Sequence, residues 1–167
     1  MTKRLLKVSA VILAVVAAAF VLAPHLLPAA LLLYRSDIWF EAPTKQKQLF
    51  VTIDDAPSRS TGEILSVLRK HRVPATFFVI ADRVKASTQL EEIVGAKQAL
   101  GNHLKTTRAC SKLTLAEFQS DFDVCAALLS RYSKPHFFRP ASDFGSKEQI
   151  AYAKARGYQA IMGTVFP

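Results

Sequence analysis

Leu49-Phe50-Val51-Thr52-Ile53-Asp54-Asp55-Ala56-Pro57-Ser58 runs from a β-branched and aromatic stretch straight into two adjacent carboxylates and a proline turn. Within a strand, neighbouring side chains point to opposite faces, so two consecutive acids cannot share a site there. At the C-terminal end of a strand the chain is already turning, and both can line one mouth. That end is where (β/α) folds place their chemistry. Two acids so placed can divide the work, one holding a metal and the other taking a proton. The plainer use of an Asp-Asp pair is an Asx-turn or helix cap. A strand directly in front and helix-start signals behind favour the site.

Outward from this point, strand and helix patterns alternate. Residues 48–53 read as the first strand. Ser60-Thr61-Gly62-Glu63 has the form of a capping box, followed by Ile64, Leu65, Val67 and Leu68 on one helical face. Residues 74–80 form a second, largely buried strand. Thr88-Gln89-Leu90-Glu91 is another capping-box pattern, with Leu90, Ile93, Val94 and Leu100 at helical spacing, and Leu100-Gly101-Asn102-His103 is a short strand or turn. Thr114-Leu115-Ala116-Glu117 opens the clearest helix, whose face is Phe118, Phe122, Cys125, Leu129 and Tyr132. Residues 136–140 give a further strand. Ser146-Lys147-Glu148-Gln149 starts a helix that Gly157 ends, and residues 158–165 close the series.

This alternation implies an α/β fold of parallel strands with crossover helices. About five strands are counted, whereas a closed barrel takes about eight. The expectation is an incomplete or distorted parallel (β/α) barrel, with an open doubly wound sheet as the alternative.

Half of the 167 residues are hydrophobic and the formal net charge is +9. Residues 8–34 hold no Asp, Glu, Lys or Arg and follow Lys3, Arg4 and Lys7. As one helix they reach about 40 Å, enough for a bilayer core of about 30 Å. Pro24, His25 and Pro28 interrupt the run, and a cleaved signal peptide is the rival. A cut after Ala23 would fall directly before Pro24, and Leu31-Leu32-Leu33-Tyr34 continues the apolar character. The reading is a signal-anchor over 1–34 with the remainder outside. Residues 35–47 then form a juxtamembrane linker and 48–167 the soluble domain, with Tyr34, Arg35 and Trp39 at the far interface. Lys and Arg are scattered, without interleaved aromatics, which argues against nucleic acid. A basic exterior suits anionic lipid or an anionic polymer, and a solvated surface equally.

Val51-Thr52-Ile53-Asp54-Asp55-Ala56-Pro57 resembles the Thr-Phe-Asp-Asp-Gly-Pro signature of NodB-type polysaccharide deacetylases, carbohydrate esterase family 4. Ala75-Thr76-Phe77-Phe78-Val79 and Leu100-Gly101-Asn102-His103 follow in that family's order. Phe138-Arg139-Pro140-Ala141-Ser142-Asp143-Phe144-Gly145 is similar to its Arg-Pro-Pro-Tyr-Gly motif with one residue inserted. The resemblance covers residues 48–167. It implies a distorted (β/α) barrel with a divalent metal at the strand ends, Zn2+ foremost and Co2+, Ni2+, Fe2+ or Mn2+ as alternatives. It also implies hydrolysis of N-acetyl groups from chitin-like or peptidoglycan sugars, or of O-acetyl groups from other polymers. Carried over, Asp54 is the general base, Asp55 and His103 are metal ligands, and Arg139 orients Asp54.

The family's second metal histidine falls four residues after the first, where this chain has Thr107, a weak ligand. Ala56 replaces the motif glycine. The later Leu-x-x-His-Asp segment, whose histidine protonates the leaving amine, is not among these residues, so a C-terminally truncated domain is expected. A relative that binds glycan with little or no turnover is therefore the second reading. A phosphoaspartate hydrolase is a third, disfavoured because it needs Asp-x-Asp on one face. Ser142 and Asp143 lie in the inserted turn and stay open between a capping and a site role, and His71 and His136 read as surface or helix-end histidines. Cys125 reads as a buried thiol. Cys110 is open to a disulfide with Cys125 or to the vacant metal position.

Overall fold

Six strands, all parallel, make one sheet in the computed structural model, which describes residues 12, 13, 16, 35–142 and 145–164. They are β1 Ile38–Trp39, β2 Val51–Ala56, β3 Ala75–Val79, β4 Ala99–Asn102, β5 Phe137–Phe138 and β6 Gln159–Ile161. Four helices, α1 Thr61–His71, α2 Thr88–Gly95, α3 Leu115–Leu129 and α4 Lys147–Ala155, connect β2 through β6. The run expected as a membrane anchor lies outside the described residues apart from Ile12, Leu13 and Val16. Among the described residues no helix is long and apolar enough to cross a membrane. The chain divides into units Met1–Ser36 and Asp37–Pro167, and the sheet belongs to the second.

The spatial order is β1-β6-β5-β4-β3-β2. From β2 to β6 each strand lies beside its chain neighbour with no reversal, which is the winding of a barrel wall. A doubly wound sheet reverses at a switch point, so that alternative is corrected. The segment read as linker supplies β1, whose Ile38 and Trp39 pair with Ala160 and Ile161 of β6. A two-residue strand carries no periodicity to detect. Its effect is to cover the edge of β6, leaving β1 and β2 as the outer strands.

The helix side of the sheet is packed in two clusters. Phe77 and Val79 of β3 meet Leu65 and Leu68 of α1, Leu90 and Ile93 of α2, and Cys125 and Leu129 of α3. Ile38, Phe138 and Ala160 meet Phe118 and Phe122 of α3 and Ile150 and Ala153 of α4. The stripe expected on α3 is thus real, and it spans both clusters, tying the two halves of the sheet together. Phe122 meets Phe138 edge-on at 5.3 Å between centroids, and truncating such a ring to alanine costs about 3–5 kcal/mol.

Two of the four capping boxes form, at Thr114–Glu117 and Ser146–Gln149. The other two do not. Ser60 sits in helical conformation with no side-chain cap, because Thr61 Oγ1 instead accepts from Ser58 N at 2.8 Å. Helix α2 begins after Ser87, and Gln89 Oε1 turns back to accept from Lys85 N at 2.7 Å. Gly157 follows α4 at φ +81°, the left-handed terminator expected there.

Candidate active site

Side chains on the face of the sheet away from the helices build the site. Thr52 and Asp54 of β2, Phe78 of β3, Gly101 of β4 and then His103 and Arg139 just past β4 and β5 alternate with the helix-facing set. Strict alternation would send Asp55 to the other side. The register prevents it: Ile53 pairs with Phe77 but Ala56 pairs with Val79, so β2 carries one extra residue there. This is a β-bulge, a device that re-aims side chains. Asp55 takes the left-handed conformation at φ 60°, which aspartate tolerates better than most residues. The positive φ therefore falls on Asp55 and not on Ala56, which explains why alanine serves where the family signature has glycine.

Arg139 is 5% exposed and makes the site's most connected group. Its Nη1 donates to Asp54 Oδ1 at 2.7 Å and to Thr52 Oγ1 at 3.0 Å, and its Nε donates to Ile161 O at 3.3 Å. The guanidinium lies over the Phe78 ring at 4.4 Å. A buried cation needs such partners, and the contact fixes the orientation of Asp54. Phe78 in turn needs Gly101 beneath it, since a Cβ there would sit 2.6 Å from the ring.

His103 Nδ1–H donates to the Arg139 carbonyl at 2.7 Å, a bond only that tautomer can make. Its Nε2 consequently presents a lone pair, 3.7 Å from Asp55 Oδ1. Burial pushes the imidazole below its ordinary value, against the pull of the Arg139 carbonyl and of the Asp54 and Asp55 carboxylates. Near neutral pH two acceptors thus face one another, an arrangement that a shared cation relieves. Metal–ligand bonds of about 2.0–2.2 Å allow one ion to span that gap.

Asp54, Asp55, His103, Thr107, Ala141 and Ser142 line one cavity of about 250 Å³. All five residues expected at the site therefore gather at one end of the sheet, Arg139 behind Asp54 and the others on the wall. Thr107 adds its hydroxyl where the resemblance puts the family's second metal histidine. Among the described residues no group of three or more His, Cys, Asp or Glu is arranged to hold a metal. Ser142, at φ 64°, lines the cavity, and Asp143 lies outside the described residues.

Arg83 is a neighbour of the candidate site that the sequence did not reveal. Its Nη2 donates to Asp55 Oδ2 at 3.2 Å and its Nη1 to the Asp55 carbonyl at 3.0 Å, gripping the bulged residue at both ends. The available signal was position alone, just past the C-terminal end of β3.

Cys125 is the buried thiol expected, and the two roles left open for Cys110 are corrected. Cys110 and Cys125 are buried thiols and form no disulfide. Cys125 donates to Val79 O at 3.3 Å. Cys110 lines a separate cavity of about 560 Å³ with Leu113, Leu115 and Gln149, so it does not fill the metal position. That larger space has no paired acid and base. His71 and His136 are exposed, as expected.

Residues 41–161 match the family described as polysaccharide deacetylase. The chain is 27% identical to a peptidoglycan-N-acetylglucosamine deacetylase of Bacillus cereus, over 75% of this chain and 60% of the relative. It is 43% identical to a chitooligosaccharide deacetylase of Rhizobium leguminosarum bv. trifolii, over 44% of this chain and 35% of the relative. A solved CE4 family pseudoenzyme from Bacillus anthracis superposes with a TM-score of 0.67 at 27% identity, covering 75% of this chain and 46% of that one. The chain thus spans no more than 60% of the length of these proteins. With the match extending over most of its residues, the chain belongs to the polysaccharide deacetylase family.

Proposed function

We propose that this member of the polysaccharide deacetylase family is a metal-dependent hydrolase of acetyl groups, N-acetyl foremost. Its substrate is an envelope or extracellular polysaccharide such as chitin-like oligomers or peptidoglycan. The observation that carries this reading is Asp54, held by buried Arg139, beside Asp55 and His103 in one cavity. Asp55 Oδ1 and His103 Nε2 are the donors for a divalent cation, zinc first and Co2+, Ni2+, Fe2+ or Mn2+ as alternatives, with Thr107 as a weak third. When bound, such a cation polarises an acetamide carbonyl and acidifies water. Arg139 holds Asp54 aimed into the cavity, where its free oxygen accepts the proton of the attacking water. The Nδ1–H bond of His103 to the Arg139 carbonyl holds the imidazole edge toward Asp55, linking base and ligand through one arginine.

Thr107 and the two-donor set favour a second reading, a glycan binder with little turnover. The Bacillus anthracis neighbour is itself described as a pseudoenzyme. We also assign residues 8–34 to a membrane segment with the domain on the extracytoplasmic side, on the uncharged run behind Lys3, Arg4 and Lys7.

The test is acetate release from an N-acetylglucosamine oligomer by the full chain with zinc or cobalt added. Asp54→Asn should keep the metal and lose about 10²–10⁴-fold in rate. Unchanged turnover in that variant would end the assignment of the base. Oligomer binding without acetate release by the wild-type chain would establish the second reading.

A further inference from the structure

Lysine and arginine occur at both ends of the parallel sheet, but at one end they stand with few acids among them. Every segment that enters a strand lies at one end of the sheet, and every segment that leaves a strand lies at the other, with the cavity. Lys45 and Lys47 lead into β2, Lys70 into β3, Lys97 into β4, Lys134 into β5 and Lys154 into β6, and all six are exposed. Arg69, Arg72 and Arg131 stand beside them, also exposed. Within these entering segments, residues 45–50, 69–74, 96–98, 130–136 and 154–158, there is no Asp or Glu. The acids at that end are Asp37 before β1, Glu92 in the last turn of α2, and Asp123 of α3, which neutralises Arg156.

Helix dipoles account for basic residues in last turns, such as Arg69 and Lys70. They do not account for Lys45 and Lys47, which follow no helix of this unit, nor for Lys97 and Lys134, which lie past helix ends. Beside Lys45 and Lys47 stand Leu49, 85% exposed, and Phe50, 61% exposed. Leaving two large apolar side chains in water next to a charged surface is costly, about 25 cal/mol for each Å². A hydrated polyanion would leave them wet. A bilayer takes up both, with charge at the headgroups and the leucine and phenylalanine at the acyl boundary.

We propose that the end of the sheet opposite the cavity is a docking face for an anionic lipid surface. On it, the domain rests with Leu49 and Phe50 inserted and the Asp54–Asp55 mouth turned away from the bilayer. This stands independently of the deacetylase reading and of residues 8–34.

The experiment is lysine acetylation footprinting by mass spectrometry on the full chain with two vesicle types, one of phosphatidylcholine alone and one containing phosphatidylglycerol. Lys45, Lys47, Lys70, Lys97, Lys134 and Lys154 should lose reactivity several-fold on the anionic vesicles only. Lys85, Lys105 and Lys112, at the cavity end, should stay reactive. The protection should vanish near 1 M salt, where screening shortens to about 3 Å. Equal labelling on both lipids, or protection at the cavity-end lysines, overturns the proposal. So does protection of the same six by soluble polyglutamate but not by vesicles, which would assign the face to an anionic polymer.

Discussion

Replacing Gly101 by alanine tests whether the site is built on a close approach of β4 to Phe78. The backbone at 101 lies outside the left-handed region, so alanine meets no conformational strain and any cost is packing. Its Cβ would stand 2.6 Å from Phe78 Cε1, 2.7 Å from Cδ1 and 3.3 Å from Cζ. Carbon atoms prefer about 3.5–4.0 Å, so the overlap approaches 1 Å. Phe78 is fully buried, with Arg139 stacked on it at 4.4 Å, and has nowhere to swing. Overpacking of this kind costs about 1–3 kcal/mol, offset by about 0.4–1 kcal/mol from the stiffer unfolded chain. The overlap places the net near 2 kcal/mol, a fall of about 1 M in the urea midpoint at an m-value near 2 kcal/mol/M. Phe78→Leu removes the ring edge, so the double variant should be less destabilised than the sum of the singles by at least about 1 kcal/mol. Urea unfolding followed by circular dichroism, on wild type, both singles and the double, completes the cycle. A Gly101→Ala variant within about 0.5 kcal/mol of wild type, or strict additivity, would refute the reasoning.

Thr107→His should tighten zinc or cobalt binding by supplying the third donor of a catalytic site, read by isothermal titration; an unchanged dissociation constant would show that the position is already served. The Cys125 thiol, pushed up to about 12 by burial, is about 10⁻⁴ ionised at pH 8 and should resist iodoacetamide in the native chain while reacting in urea. Because its folded value lies above the ordinary 9.0, the unfolded chain releases that proton first, and stability should fall as pH rises from about 9 toward 12, less so in Cys125→Ala. His103 carries the opposite sign: with its value lowered from 6.5, the unfolded chain takes up the proton more readily, so stability is present above that value and falls on acidification below it. His103→Gln should flatten that part of the acid profile, and an unaltered profile would show that the imidazole is not buried as described.

What is local in this fold could be read from the chain by itself. The strand ahead of Asp54, the stripe Phe118–Phe122–Cys125–Leu129, the caps at Thr114 and Ser146 and the stop at Gly157 depend on residues within a turn or two of one another. The motif resemblance added Asp55, His103, Thr107 and Arg139 as a set. Even among local signals, the capping patterns at Ser60 and Thr88 went unused, because Thr61 and Gln89 bond backwards to the preceding turn. Tertiary structure decided what depends on distant partners. Arg139 meets Asp54 across 85 positions, and Arg83 meets Asp55 across 28. The bulge that turns two consecutive carboxylates into one cavity exists only as a register between β2 and β3. The covering of β6 by β1 and the gathering of six scattered lysines on one end, with few acids, are likewise properties of a parallel sheet. Spacing and periodicity encode a residue's neighbours along the chain, whereas register, twist and winding choose its neighbours in space.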